Sequence, residues 1–195
     1  QLTQAGAAMK KWQKMSGRKA DKTTSSYFET FSKFYYGGRV QCFEKGIIED
    51  EITGIDINSA YPFGMKSRHP TGTKYELDDE LPDNDAEIQK SFISLMAKST
   101  GAFPFREEKG GLSFPDDGVI RRFNVTGWEY IAARDTGTLE SAKVLDVITF
   151  AFTVDFVDYV NELYAEKAEH KKNGDKAKEL LAKFDLNALS GKFGA

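Results

Sequence analysis

Asp56 follows the run ITGI and precedes Asn58, Ser59 and the turn-prone pair Tyr61-Pro62. The pattern predicts a carboxylate at a strand end where the chain turns. Hard divalent cations take oxygen ligands, and Mg²⁺ is usually held by one or two carboxylates together with substrate phosphates, so one such Asp is half of a metal site. A short helix starting near Ser59 or Tyr61 would aim unpaired amides at the same place and favour a phosphate. The same residues also suit a plain turn or helix cap, and spacing alone leaves both readings open.

A second set of residues lies near the other end of the sequence. Lys176, Lys183, Asn187 and Gly191 recur at intervals of seven, four and four, which puts them on one helix face, while Ala177, Leu181, Phe184 and Ala188 fall on another. The expectation is an apolar stripe on a core, with the Lys/Asn/Gly stripe turned to a cleft, where ammonium groups would meet phosphates. An ordinary amphipathic helix with solvated lysines has the same pattern.

Resemblance separates these readings. GIDINSAYPFGM resembles motif A of family B DNA polymerases, and LLAKFDLNALSGKFG resembles their motif B. FYYGGR at 34–39 is similar to the YxGG element of the protein-primed members. The resemblance implies Asp56 as catalytic metal ligand for Mg²⁺ or Mn²⁺, with the Ile57 peptide beside it. Ile57, Asn58, Ser59 and Ala60 would line the triphosphate, and Tyr61 would exclude a 2′-hydroxyl. Lys183 becomes the main catalytic triphosphate Lys, Lys171 a second basic contact, and Asn187 a neighbour of the nascent base pair. Tyr36, Gly37, Gly38, Arg39, Gly191 and Lys192 are implied to face template or primer DNA. Ala188, Ser190 and Asp185 depart from the usual motif B, and Ser190 stands where the family has a Tyr.

The elements that must position these residues are legible as periodicity. Leu2, Ala5, Ala8, Met9, Trp12 and Met15 predict an amphipathic helix ended by Gly17. Gly37 and Gly38 allow a backbone geometry that residues with a Cβ resist, and VQCFEKGIIEDEITGIDI predicts two or three short strands. From Ser67 to about Gly118, which holds four of the five prolines, the expectation is a loop-rich insert. Beyond it the pattern predicts a helix from near Thr126, a strand over AKVLDVITFAF, a helix over VDFVDYVNELYAEKAEHKK, a hinge at Asn173-Gly174, and a helix from Asp175 to Ser190 stopped by Gly191. The fold class is α+β, a partial polymerase palm of short antiparallel strands with a helical fingers hairpin. Its divisions are 1–50 (N-terminal helix and YxGG region), 51–66 (motif A strand), 67–152 (insert and remaining palm strands) and 153–195 (fingers).

The net charge of −3 hides segregated blocks. Six bases against one Asp occupy 10–22, and seven acids without a base occupy 76–87, a distribution that fits a backbone-contacting surface interrupted by a solvated loop. The single Cys42 excludes an internal disulfide and a Cys-rich zinc site, and no run of 18 apolar residues or signal-like start occurs, so a cytoplasmic location without a membrane span is expected. The Tyr-x-Asp-Thr-Asp-Ser string of motif C does not occur in these residues. The resemblance therefore implies a partner contribution, from a second polypeptide or from a further C-terminal part, alongside template/primer DNA, dNTP and a terminal priming protein. An inactive derivative that binds DNA or a priming protein is the alternative.

Overall fold

The computed structural model describes residues 3–19, 25–57, 59–108 and 110–192. They divide into two compact units: Gln1–Ala20 with Gly37–Lys66 and Val157–Ala195, and Asp21–Tyr36 with Ser67–Phe156. Among the described residues no helix is long and apolar enough to cross a membrane.

The second unit is built on a four-stranded antiparallel sheet, ordered β1-β6-β2-β5. Its strands are β1 (His69–Asp78), β2 (Ser91–Lys98), β5 (Ile120–Thr126) and β6 (Lys143–Val154), and β3 (Phe105–Arg106) with β4 (Leu112–Ser113) makes a small separate ladder. Successive side chains of a strand point to opposite faces, and this sheet uses both. Ile93, Leu95 and Ala97 of β2, Phe123 and Val125 of β5 and Val147 of β6 enter one core with Ile88, Tyr130 and Ile131. The intervening Phe92, Ile148 and Phe150 pack on the other side with Tyr27, Phe31 and Phe34. Those last three come from α2 (Ser25–Phe31) and the 3₁₀ turn Ser32–Phe34.

The loop-rich reading of Ser67 to Gly118 is corrected here, because that stretch supplies β1 and β2. Proline marked it as loop, yet Pro70 sits near the start of β1, which is an edge strand where a missing N–H is tolerated. Pro82, Pro104 and Pro115 fall between strands.

Two short helices close the first core face. In α5 (Gly127–Asp135) Thr126 and Glu129 form a reciprocal capping box, with the Thr126 N–H donating to Glu129 Oε2 at 2.8 Å. Arg134 donates from both terminal nitrogens to Asp85, at 2.7 and 2.9 Å, joining α5 to α4 (Asp85–Ile88). Between them Gly127 is pressed so closely that a Cβ there would lie 1.6 Å from the Ile88 carbonyl oxygen.

In the first unit, α1 (Gln4–Ser16) is capped by Thr3 and ends in left-handed Gly17, as its sequence predicts. It packs against α6 (Val157–Lys172) and α7 (Lys176–Lys192), a helical hairpin that turns at Asn173-Gly174. Gly174 has φ +71°, and Asp175 caps the second helix by accepting from the Lys178 N–H at 3.1 Å. α7 does not stop at Gly191 but runs on through Lys192; Gly191 has no positive φ and so does not form a left-handed cap.

The strands expected in 40–57 are absent. That segment is coil, with Val40, Ile47 and Ile55 each about nine-tenths exposed. A strand is held by a neighbour that takes its N–H and C=O groups, and among the described residues no strand pairs with this segment.

The packing of α5 can be tested at two positions. Gly127→Ala should lower unfolding free energy by about 2–3 kcal/mol, since the clashing atom is backbone and cannot step aside, as measured by urea unfolding. Burial raises the Glu129 carboxyl above its ordinary pKa, although Thr126 donors oppose it. A raised folded-state pKa favours the protonated form, so stability from this group is present below the unfolded value and falls as pH rises through the folded one. Glu129→Gln, which keeps the box, should therefore gain stability relative to the parent as pH rises above the ordinary carboxyl range, while Glu129→Ala loses about 1 kcal/mol with the cap.

Candidate functional site

The helix carrying Lys183 and Asn187 owes its orientation to a buried stripe. Ala182, Leu186 and Leu189 of α7 are buried, at intervals of four and three, in the first unit that also buries Ala8 and Trp12 of α1 and Tyr159, Val160 and Leu163 of α6. The expected stripe of Ala177, Leu181, Phe184 and Ala188 is corrected: Leu181 and Phe184 are 55% and 46% exposed. Both stripes have helical spacing, and α1 with α6 covers the one that sequence reasoning left out. Lys176, Lys183, Asn187 and Gly191 share the exposed side of the helix.

Polar bonds at the same contact fix the helix lengthwise. Tyr159 donates its hydroxyl to the Asp185 carbonyl at 2.9 Å, and burial pushes that phenol well above its ordinary pKa. Gln4 Nε2 donates to Asp185 Oδ1 at 3.3 Å, and Lys11 pairs with Glu166 at 2.8 Å. Asp185, an unusual residue for motif B, thus ties α1 to α7. Asn187 donates to the Lys183 carbonyl at 3.0 Å, and Ser190 donates to the Asn187 carbonyl at 2.8 Å, so the Ser190 hydroxyl is engaged by its own helix.

Tyr61 lies in the first turn of α3 (Ala60–Met65), whose buried Pro62 and Met65 hold it in the helical unit, where α3 contacts α6 and α7. Proline is accepted there because first-turn N–H groups have no intrahelical partner. Ser59 precedes the helix in the left-handed region, φ 56° and ψ 47°, a conformation uncommon for any residue but Gly. Ala60 and Tyr61 are both exposed. The Tyr61 hydroxyl comes up against Gly38, which joins the second glycine of the YxGG element to motif A. Neither Gly37 nor Gly38 has positive φ, so the backbone freedom that glycine allows is not used at either; Gly38 supplies room instead.

Asp56 and Ile57 are exposed coil residues, and the predicted strand end beneath Asp56 is not formed. Asn58 lies outside the described residues. A carboxylate and a neighbouring peptide carbonyl are suitable hard donors for Mg²⁺. Among the described residues no group of three or more His, Cys, Asp or Glu could hold a metal ion. Lys171 is exposed at the C-terminal end of α6, where its carbonyl accepts from the Gly174 N–H. Arg39 Nε donates to Gln41 Oε1 at 2.8 Å and its guanidinium lies 5.8 Å from the Phe43 ring centre.

One cleft escaped sequence reasoning. In the second unit Lys33, Tyr36, Pro104, Phe105, Arg106, Arg122 and Asn124 line a shallow cleft of ≈ 160 Å³. Arg106 donates to the Tyr35 carbonyl at 3.0 Å, and its guanidinium is 5.4 Å from the Tyr36 ring centre. Burial raises the Tyr36 phenol and Arg106 partly opposes that. Arg122 pairs with Asp146 at 3.0 Å, leaving Lys33 and Arg106 without a carboxylate partner among the described residues. The residues are scattered over ninety positions and share no motif; only Tyr36 carried a signal.

Comparison with known proteins identifies the lineage. A family model described as DNA polymerase type B, organellar and viral, matches residues 1–195. The chain belongs to that family. It is 33% identical over 193 residues to the DNA-directed DNA polymerase of Enterobacteria phage PRD1, covering 98% of this chain and 33% of that protein. It thus spans about one third of the length of the curated relative that it matches. Phi29 DNA polymerase in its orthorhombic crystal form superposes with a TM-score of 0.74 at 18% identity, over 100% of this chain and 37% of that one. Phi29 polymerase in ternary complex with primer-template DNA and incoming nucleotides gives 0.71 at 19%, over 99% and 36%. These structural likenesses bear out the α+β fold class, and the type B family bears out the sequence resemblance.

For this type B segment the two stripes of α7 are distinguishable by experiment. Leu186→Ala should cost about 2–4 kcal/mol in urea unfolding. Leu181→Ala should change stability by no more than about 0.5 kcal/mol.

Proposed function

We propose that this segment is the nucleotide-binding part of a protein-primed DNA polymerase, acting in template-directed nucleotidyl transfer. The observation that carries the reading is the joint presence, in one helical unit of a type B family chain, of Tyr61 on α3 and of exposed Lys183 and Asn187 on α7, which α3 contacts.

In this reading Asp56 and the Ile57 carbonyl hold one side of Mg²⁺ or Mn²⁺, which when bound neutralises charge on the phosphates and activates the attacking hydroxyl. Ser59 and Ala60 offer backbone donors, and Lys183 and Lys171 set positive charge against the triphosphate. Tyr61 closes the space beside C2′ of the sugar, and Asn187 borders the nascent base pair. The remaining carboxylates belong to parts of the polymerase beyond this third, on the same or a second polypeptide.

Template or primer DNA is assigned to Tyr36, Gly37, Gly38 and Arg39, to Gly191 and Lys192, and to the cleft flanked by Lys33 and Arg106. Cations beside stackable rings suit a single strand, phosphates on the charges and bases on the aromatic faces. The terminal protein that supplies the first hydroxyl would meet the sheet unit, and the work would be done in the cytoplasm of an infected or host cell.

The test is incorporation by the polymerase that carries this segment. Asp56→Ala should abolish Mg²⁺-dependent extension, and Lys183→Ala should raise the dNTP KM about tenfold or more, ~1.4 kcal/mol. The isolated 195-residue chain should incorporate nothing. Unchanged extension after Asp56→Ala, with DNA binding intact, would instead favour an inactive binding module. Lys33→Ala with Arg106→Ala should reduce the salt dependence of single-stranded DNA binding by about 1.4 in log–log slope, roughly 0.7 for each phosphate that is no longer neutralised.

A further inference from the structure

Gly38 has a neighbour that gives its size a meaning. An ideal Cβ at this position would lie 2.5 Å from the Tyr61 hydroxyl oxygen and 3.7 Å from the ring carbon that bears it. The first distance is a collision and the second an ordinary contact, so the whole conflict is with the hydroxyl. Gly38 has no positive φ, so its own backbone does not demand glycine. The adjacent Gly37 has nothing within 4 Å of the corresponding position, so the requirement is local to one residue.

Tyr61 is anchored at one end only. Its backbone is held by buried Pro62 and Met65 in the same short helix and by the left-handed turn at Ser59. The residue is 60% exposed, so little steers the ring, and the hydroxyl end rests against Gly38. A side chain at 38 must push that end away, turning the ring about a fixed backbone.

We propose that Gly38 is a positioning residue for Tyr61, setting where the phenol stands and, through it, how strictly the sugar of an incoming nucleoside triphosphate is read. The inference rests on the assignment of Tyr61 to the sugar given above. It also gives the second glycine of the YxGG element a role in sugar selection, separate from contact with DNA.

The polymerase that carries this segment is compared with Gly38→Ala, Tyr61→Phe, the double variant and Tyr61→Ala. Each is tested for incorporation of dNTP and rNTP on a primed template, with thermal melting to register folding. Gly38→Ala should change the dNTP-over-rNTP preference by about fivefold or more, mainly through KM. In the Tyr61→Phe background, where the nearest ring atom would stand at 3.7 Å, adding Gly38→Ala should change it by less than about twofold. An equal effect in both backgrounds, or none in either, overturns the proposal. Tyr61→Ala separates the two readings. If it leaves the preference unchanged, the sugar assignment fails and this inference falls with it. If it lowers the preference while Gly38 and Tyr61 prove uncoupled, only the inference fails.

Discussion

Burial of Ala182, Leu186 and Leu189 in the unit formed with α1 and α6 is the constraint on which the candidate site depends. A helix has only so much circumference, and once this stripe is covered the remaining faces are assigned. Lys183 and Asn187 then face solvent, beside Leu181 and Phe184, which would otherwise be core candidates. The Tyr159–Asp185 and Gln4–Asp185 bonds add a lengthwise constraint that apolar contact alone does not give, because hydrogen bonds are directional where apolar burial is not. Asp185, odd by the family's pattern, is the residue on which both bonds converge.

The same logic applies to α3 at smaller scale. Six residues cannot form a stable helix alone, and this one persists because Pro62 and Met65 are buried. Its exposed side then carries Tyr61, whose freedom is limited at the far end by Gly38. Burial of Pro62 and Met65 fixes the backbone that carries the phenol, and the absence of a side chain at 38 leaves room for its hydroxyl end.

In the sheet unit both faces of β2 and β6 are covered, one by α4 and α5 and the other by the aromatic residues of α2 and the following turn. Tyr36 comes soon after that turn, so the packing of Phe31 and Phe34 on the sheet also delivers Tyr36 to Arg106. A cationic, aromatic cleft results from residues whose neighbours in sequence are mostly concerned with the core.

Local chemistry is readable from the sequence. The helix start near Thr126, the helix ends at Gly17 and Asn173-Gly174, the start of α7 at Asp175 and the apolar period of α1 all follow from residues close together in the sequence. Asp56, Tyr61, Lys183 and Asn187 stand out by resemblance to the family's motifs, since their spacing alone also suits a turn and an ordinary amphipathic helix. Tertiary structure decided whatever depended on a partner. It chose between two equally periodic stripes on α7, placed Pro70 harmlessly on an edge strand, left 40–57 unpaired, and brought Gly38 beneath Tyr61 and Arg106 beside Tyr36. Periodicity reports how a segment could bury itself, but the surface that covers it comes from residues far away in the chain.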